Sequence, residues 1–212
     1  MAEQKGENRI ILRGEVAGEP VLTHRNHGTE YATVPFRVPR LSGAEDRLNL
    51  VFPWGERGLW ISGGWLDVEG EVRSFNNRTG SGARLVITVL VRSAFPAEAG
   101  EGINRLTLSG VLCKPPTRRR TPLGREICDL LLAVNRPYGR ADYLPCIAWG
   151  SLAALCGELE VGAPLRLAGR LQSRAYRKLT EHGEEQRTAY EVSIMNLLDD
   201  LPEEGAPIPA RQ

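Results

Sequence analysis

Long apolar runs are missing from this 212-residue sequence, in which no 18 consecutive residues could form a membrane-spanning helix. The opening stretch "MAEQKGENRI" lacks the apolar centre of a secretory signal, so none is expected there. Cysteine is sparse. Cys113, Cys128, Cys146 and Cys156 show no CxxC spacing, and three of them sit inside apolar stretches. That pattern predicts reduced, buried thiols and a cytoplasmic setting, not disulfides or a zinc site. Histidine is sparser still: His24 and His27 in "HRNH" read as exposed loop residues, and His182 lies in an acidic loop. Also missing are GxxxxGK[ST], HExxH, GxSxG and a glycine-rich dinucleotide turn, and no pair of carboxylates stands out as acid and base. Neither an enzyme nor a bound cofactor or metal is expected.

What the sequence does have is turn residues and unevenly placed charge. Its 23 glycines and 14 prolines favour short strands over long helices. The net charge of +1 hides a division: residues 1–100 are neutral, residues 104–178 carry an excess of eight positive charges, and residues 181–212 are net −6. A local cationic excess of that size suits a polyanion partner.

Self-similarity organises the rest. "NRIILRGEV" from Asn8 returns as "NRLTLSGVL" from Asn104; "FPWG" ending at Gly55 returns as "IAWG" ending at Gly150; "DVEGEVRS" ending at Ser74 returns as "RLAGRLQS" ending at Ser173. Three landmarks in one order, spaced 95 to 99 residues apart, make a tandem duplication. The second copy reads as strands near 103–113, 125–135, 141–149, 163–177 and 186–197, with a short helix after Gly150 that Ser151 is placed to cap. The first copy reads as strands near 8–16, 29–38, 46–54, 65–75 and 82–95, its helix reduced or absent, with Trp60 and Trp65 expected in the core. The predicted fold is all-β: two tandem five-stranded OB barrels, at 1–97 and 103–198, joined by a linker at 98–102. Residues 199–212 form an acidic, proline-rich tail expected to be disordered.

The stretch "ADYLPCIAWG" from Ala141 raises the functional question. Alternation puts Tyr143, Pro145, Ile147 and Trp149 on one face and Leu144, Cys146 and Ala148 on the other, so both faces are apolar although a core needs only one. OB barrels commonly bind oligonucleotides or oligosaccharides on this face, and rings beside clustered arginines favour unpaired bases over duplex.

Across residues 103–197 the second copy resembles the bacterial single-stranded DNA-binding proteins, in "NRLTLSGVLCKPP", "DYLPCIAWG", "LEVGAPLRLAGRLQSRAY" and "TAYEVSIMNL". The resemblance implies base stacking on Tyr143, Trp149 and Tyr176, with Arg174 at a phosphate. Arg170 and Arg177 lie on the same stretch. The run Lys114 to Arg125, with Arg118, Arg119 and Arg120, occupies the loop where DNA would pass, and Arg136, Tyr138 and Arg140 form the turn before the aromatic strand. The first copy departs from the pattern: Leu48 answers to Tyr143 and Asn77 to Tyr176. Only Trp54 stays in register, with Phe75 nearby as a possible substitute, and Arg73 is a further expected nucleic-acid contact. The family's usual acidic tip ending in phenylalanine is replaced by "GAPIPARQ".

The expected partner is single-stranded DNA, with RNA possible. The chain is expected as a homodimer presenting four barrels, at the nucleoid, in contact with replication or repair proteins and no membrane. Two rival readings stand beside this: a primosomal accessory protein that works mainly through protein contacts, and a purely structural tandem barrel.

Overall fold

A computed structural model describes residues 7–77, 85–180 and 183–198. The opening six residues, His182 and the tail at 199–212 lie outside the described residues. Alternating apolar residues build each strand. In β1 (Asn8–Val16), Ile10, Leu12, Gly14 and Val16 are buried while Ile11, Arg13 and Glu15 between them face outward. The chain continues through β2 (Val21–Asn26), β3 (Thr29–Pro39), β4 (Glu45–Pro53), one 3₁₀ segment (Trp54–Leu59), β5 (Trp65–Asn76) and β6 (Leu85–Pro96). The second set is β7 (Ile103–Leu112), β8 (Thr117–Arg120), β9 (Glu126–Arg136), β10 (Arg140–Trp149), α1 (Ser151–Gly157), β11 (Pro164–Thr180) and β12 (Gly183–Leu197).

Each barrel thus has six strand segments where five were expected. The extra ones, β2 and β8, prolong β1 and β7 after an interruption: β1 and β2 both pair with β3, and β7 and β8 both pair with β9. The breaks contain Pro20 in one barrel, and Pro115 and Pro116 in the other. Proline has no N–H for a ladder, so each first strand is cut in two. Both barrels close through the same unusual parallel step, Leu50 beside Val89 and Cys146 beside Val192. Gly14 and Gly110 sit at matching bends. A β-carbon would stand 2.3 Å from the Arg37 carbonyl oxygen at Gly14 and 2.5 Å from that of Ala133 at Gly110, so only glycine lets the strands meet there.

Phe36, Leu48, Leu50 and Phe52 fill the first barrel, and Trp60 stacks on Phe52 with centroids 4.3 Å apart. Trp65 is only half-buried, so of the two tryptophans expected inside, Trp60 is the core one. Leu106, Leu108, Leu112, Leu132, Leu144 and Leu171 fill the second barrel. The α1 helix buries Ala153 and Cys156 against it. Ser151 does not cap that helix: Gly150 is the cap residue, at φ 57°, and no side chain completes the cap. The first barrel's connector is reduced to the 3₁₀ segment.

The barrels meet edge to edge. β1 pairs antiparallel with β7, from Asn8 opposite Leu108 to Arg13 opposite Ile103, which joins both barrels into one twelve-stranded sheet. Asn8 and Asn104 are repeat equivalents, and so are Leu12 and Leu108. The pairing therefore has an internal two-fold: Asn8–Leu108 on one side, Leu12–Asn104 on the other.

Candidate nucleic-acid interface

Strands β9 and β10 form the face singled out in the sequence. Tyr143 lies opposite Ala133, Pro145 opposite Leu131, Ile147 opposite Asp129 and Trp149 opposite Ile127. Leu144, Cys146 and Ala148 point into the core. On the outer row, Ile127 and Ile147 are themselves buried, whereas Tyr143 is 49% and Trp149 37% exposed. The second apolar face is therefore packed at its centre and open at both ends, with a ring at each end. Both rings are free to meet a flat partner.

Cations surround this row in two states. Arg118, Arg119 and Arg120, from a run without acids, acquire them from other elements: Arg119 Nη2 donates to Asp129 at 3.1 Å, Arg120 to Glu126 at 3.1 Å and Arg118 to Glu158 at 3.3 Å. The hydrogen bond and charge of Asp129 raise the Arg119 pKa, so it stays fully cationic. These bridges lie at the surface, where a pair contributes about 0–1 kcal/mol and can be exchanged for a phosphate. Arg177 similarly meets Glu184 at 3.5 Å. Lys114, Arg125, Arg140, Arg170 and Arg174 have no carboxylate partner among the described residues. The Arg174 guanidinium carbon lies 5.9 Å from the centroid of Tyr176, a half-buried ring. Tyr138 is 94% exposed at the β9–β10 turn, held at φ 66°.

The first barrel requires corrections. Arg47, not Leu48, stands at the place of Tyr143: the backbone N–H of Arg47 donates to Ser173 Oγ at 2.7 Å, as that of Tyr143 does to Ser74 Oγ at 2.7 Å. Leu48 is a core residue equivalent to Leu144. With that register, Pro53 and not Trp54 matches Trp149. Trp54 opens the 3₁₀ segment, partly buried, with the Arg57 guanidinium 5.0 Å from its ring centroid. Phe75, 54% exposed, holds the place of Arg174. His24, expected in a loop, is in β2, stacked on Tyr31 with centroids 5.1 Å apart.

Two fully buried carboxylates, which the sequence reading passed over, bind the barrels together. Asp142 accepts the Ser74 N–H at 2.7 Å and meets Arg73 at 3.0 Å and Arg136 at 3.3 Å. Asp46 accepts the Ser173 N–H at 3.0 Å and the Asn104 amide at 3.3 Å, and pairs with Arg40. Arg73 and Arg136, expected at phosphates, are thus committed to Asp142. The clue was present in the sequence: Ser74 and Ser173 close the third repeat landmark, and Asp46 and Asp142 are 96 residues apart.

The thiols are all free, with Cys128, Cys146 and Cys156 buried. Burial raises every one, Cys156 to about 11. Among the described residues no three histidine, cysteine or acidic side chains form a group able to hold a metal, and no helix is long and apolar enough to cross a membrane.

The second of two fused OB barrels thus carries an outward row of rings flanked by arginines. Residues 103–198 match the single-strand binding protein family. The second barrel is thus similar to that family, over just under half of the chain. Single-stranded DNA-binding proteins of Halalkalibacterium halodurans and Bacillus subtilis are 35% and 36% identical over 81 residues, which is 35% of this chain and 48% and 47% of theirs. The match spans about half the length of these relatives. The crystal structure of the wild-type single-stranded DNA-binding protein from Thermus aquaticus superposes with a TM-score of 0.74 at 22% identity, covering 98% of both chains. A deletion mutant of that protein gives 0.72 at 24%, covering 96% of this chain. Two OB barrels in one chain are thus a shared fold.

Proposed function

We propose that the chain binds single-stranded DNA with little regard to sequence, without turnover, in replication, recombination or repair. Binding combines stacking of bases on Tyr143, Trp149 and Tyr176 with phosphate contacts from Lys114, Arg118, Arg119, Arg120, Arg125, Arg140, Arg170, Arg174 and Arg177. The observation that carries this reading is the outer row of β10, where two large rings remain exposed at either end of an apolar strip that is half-buried at Pro145 and buried at Ile147. Exposed rings of this kind contribute about 1–3 kcal/mol per stacked base. The family of the second barrel and the names of its relatives support the same reading.

RNA fits the same rings and cations. The rings of Tyr138 and Phe75 are open to further bases. We place the chain in the cytoplasm, at the nucleoid, as a homodimer of four barrels with replication or repair proteins as partners. Phe95, 64% exposed, shares the outer face of the central sheet with Ile103, a surface suited to a second copy.

Titration with a fluorescent poly(dT) at two salt concentrations tests the binding. About four neutralised phosphates per engaged barrel give a log–log salt slope near −3. Tight, salt-sensitive binding with quenching of tryptophan emission supports the reading; absence of binding sinks it. Mass measurement with and without a 35-mer tests the dimer.

A further inference from the structure

The two places where the barrels meet are related by the internal two-fold, yet they differ in chemistry. Around Asp142 the residues beside the two backbone hydrogen bonds are Tyr143 and Phe75, both about half exposed. At the equivalent places around Asp46 stand Arg47 and Arg174. A shared serine bridge brings the α-carbons of each pair to within about 10 Å of each other. The contrast extends one step further along the strand. Glu71, which pairs with Arg73 and Arg92, is replaced at the second junction by Arg170. Arg170 alternates onto the same face of β11 as Arg174, has no carboxylate partner among the described residues, and its buried Nε donates to nothing. Burial and the neighbouring Arg40 charge both lower its pKa, with Asp46 offsetting part of the effect.

Four guanidiniums, those of Arg40, Arg47, Arg170 and Arg174, therefore belong to the Asp46 junction. Asp46 is committed to Arg40 and to the Ser173 N–H, and Arg47 meets only Glu45 on its own strand, at 2.6 Å. Glu45 is shared in turn with Arg37 at 3.7 Å. Glu191, opposite Gln172 on the same face of β11, accepts from the Gln172 amide, and neither Arg170 nor Arg174 forms an ion pair among the described residues. Arg47 is the accessible member, its side chain 76% exposed, and Arg174 is exposed beside it.

We propose that the Asp46 junction is a phosphodiester-binding site built jointly by both barrels, where a single strand leaving the ring-bearing face of the second barrel is gripped by its backbone as it passes onto the first. Bases are held at the Asp142 junction and phosphates at the Asp46 junction. The first barrel, neutral in total charge, contributes to binding through this composite site, Arg47 being its own part. This assignment rests on the single-strand reading above and adds a route across the molecule.

Arg47→Ala in the full chain tests it, because the side chain is outside the core and the backbone hydrogen bond to Ser173 survives the substitution. Two oligo(dT) probes are compared, one of about 8 nucleotides, within the site size of one barrel, and a 35-mer that reaches both. Loss of one phosphate contact should lower the magnitude of the 35-mer salt slope by about 0.7, weaken 35-mer binding about three- to tenfold, and leave the 8-mer unchanged. Arg47→Lys should keep most of the slope. An unchanged 35-mer slope and affinity in Arg47→Ala, or an equal loss on both probes, overturns the assignment. If the unaltered chain binds neither probe, the single-strand reading itself falls. Binding of both probes with no effect of Arg47→Ala removes the composite site alone.

Discussion

The Tyr143 N–H donates to Ser74 Oγ across the barrel boundary at 2.7 Å. The ring at the head of the outer row is therefore carried on a backbone fixed by the other barrel, and Asp142, next to it in sequence, accepts from the same Ser74. Such fixing would reduce the ordering cost of the proposed base stacking, since the backbone carrying the ring is held in place beforehand.

Removing the carboxylate should weaken the junction between the barrels. Asp142→Ala leaves Arg136 and the Ser74 N–H without their acceptor, while Arg73 keeps Glu71, and should destabilise the protein by up to about 3–5 kcal/mol, the cost of breaking a buried charge pair. Denaturant unfolding measures it. Asp46→Ala, which leaves Arg40 and the Ser173 N–H without their acceptor, should fall in the same range.

Tyr143→Ala combined with Tyr176→Ala should weaken poly(dT) binding at least tenfold, from about 1–3 kcal/mol per stack. Neither side chain is a core residue, so the unfolding midpoint should scarcely move. Unchanged affinity with an intact fold would remove these rings from the interface.

Three of the four tryptophans should separate spectroscopically. Trp60 is sealed under Phe52 and Trp54 is partly buried beside Arg57, whereas Trp149 stands on the outer row. DNA-induced quenching should therefore be largely lost in Trp149→Phe and retained in Trp54→Phe. The reverse result would move the stacking site to the first barrel.

Thiol titration gives a pH prediction. Burial holds Cys156 near 11 and raises Cys146 further, so both remain neutral in the folded chain well above the pH at which an unfolded thiol ionises. Between the ordinary thiol value and the raised one the folded state keeps protons that the unfolded state has released, so stability must fall with rising pH across that window. It is fully present below the ordinary value. Unfolding from pH 8 to pH 11 should show the decline, and Cys156→Ala should lessen it while Cys146 sustains the remainder. With a thiol reagent at pH 8, half-buried Cys113 should react before the other three.

Much of the fold was legible because the repeat was. Gly14 and Gly110, matched in the sequence, are the two bends where a β-carbon would strike a carbonyl oxygen. The helix after Gly150 and the reduced connector after Trp54 were likewise readable from composition. The short strands β2 and β8 were not, because Pro20 and the Pro115–Pro116 pair look like loop punctuation while the pairing that rescues these segments comes from β3 and β9. "FPWG" and "IAWG" suggested a register that the ladders refute. A shared Trp–Gly ending outweighed the aspartate alignment, and Trp54 was placed one residue out of step.

The candidate site was legible in its residues more than in their relations. Tyr143 and Trp149 could be placed on an outer face by alternation alone. That Arg118, Arg119 and Arg120 would find Glu158, Asp129 and Glu126 depends on neighbours 6 to 40 residues away, which no local run reveals. Arg73 and Arg136 were mistaken for surface cations because a buried aspartate on a strand end looks like any other aspartate until its cross-barrel partners are known.

The ladder between β1 and β7 has a consequence beyond holding the halves together. In an assembly of identical subunits every substitution is copied to both sides of the axis, so a ring cannot be exchanged for a guanidinium on one side only. Fusing the halves removes that constraint, and tethering prevents them from separating on dilution. One polypeptide can thereby keep a symmetric seam while its two flanks diverge, giving a thread laid across them a front and a back.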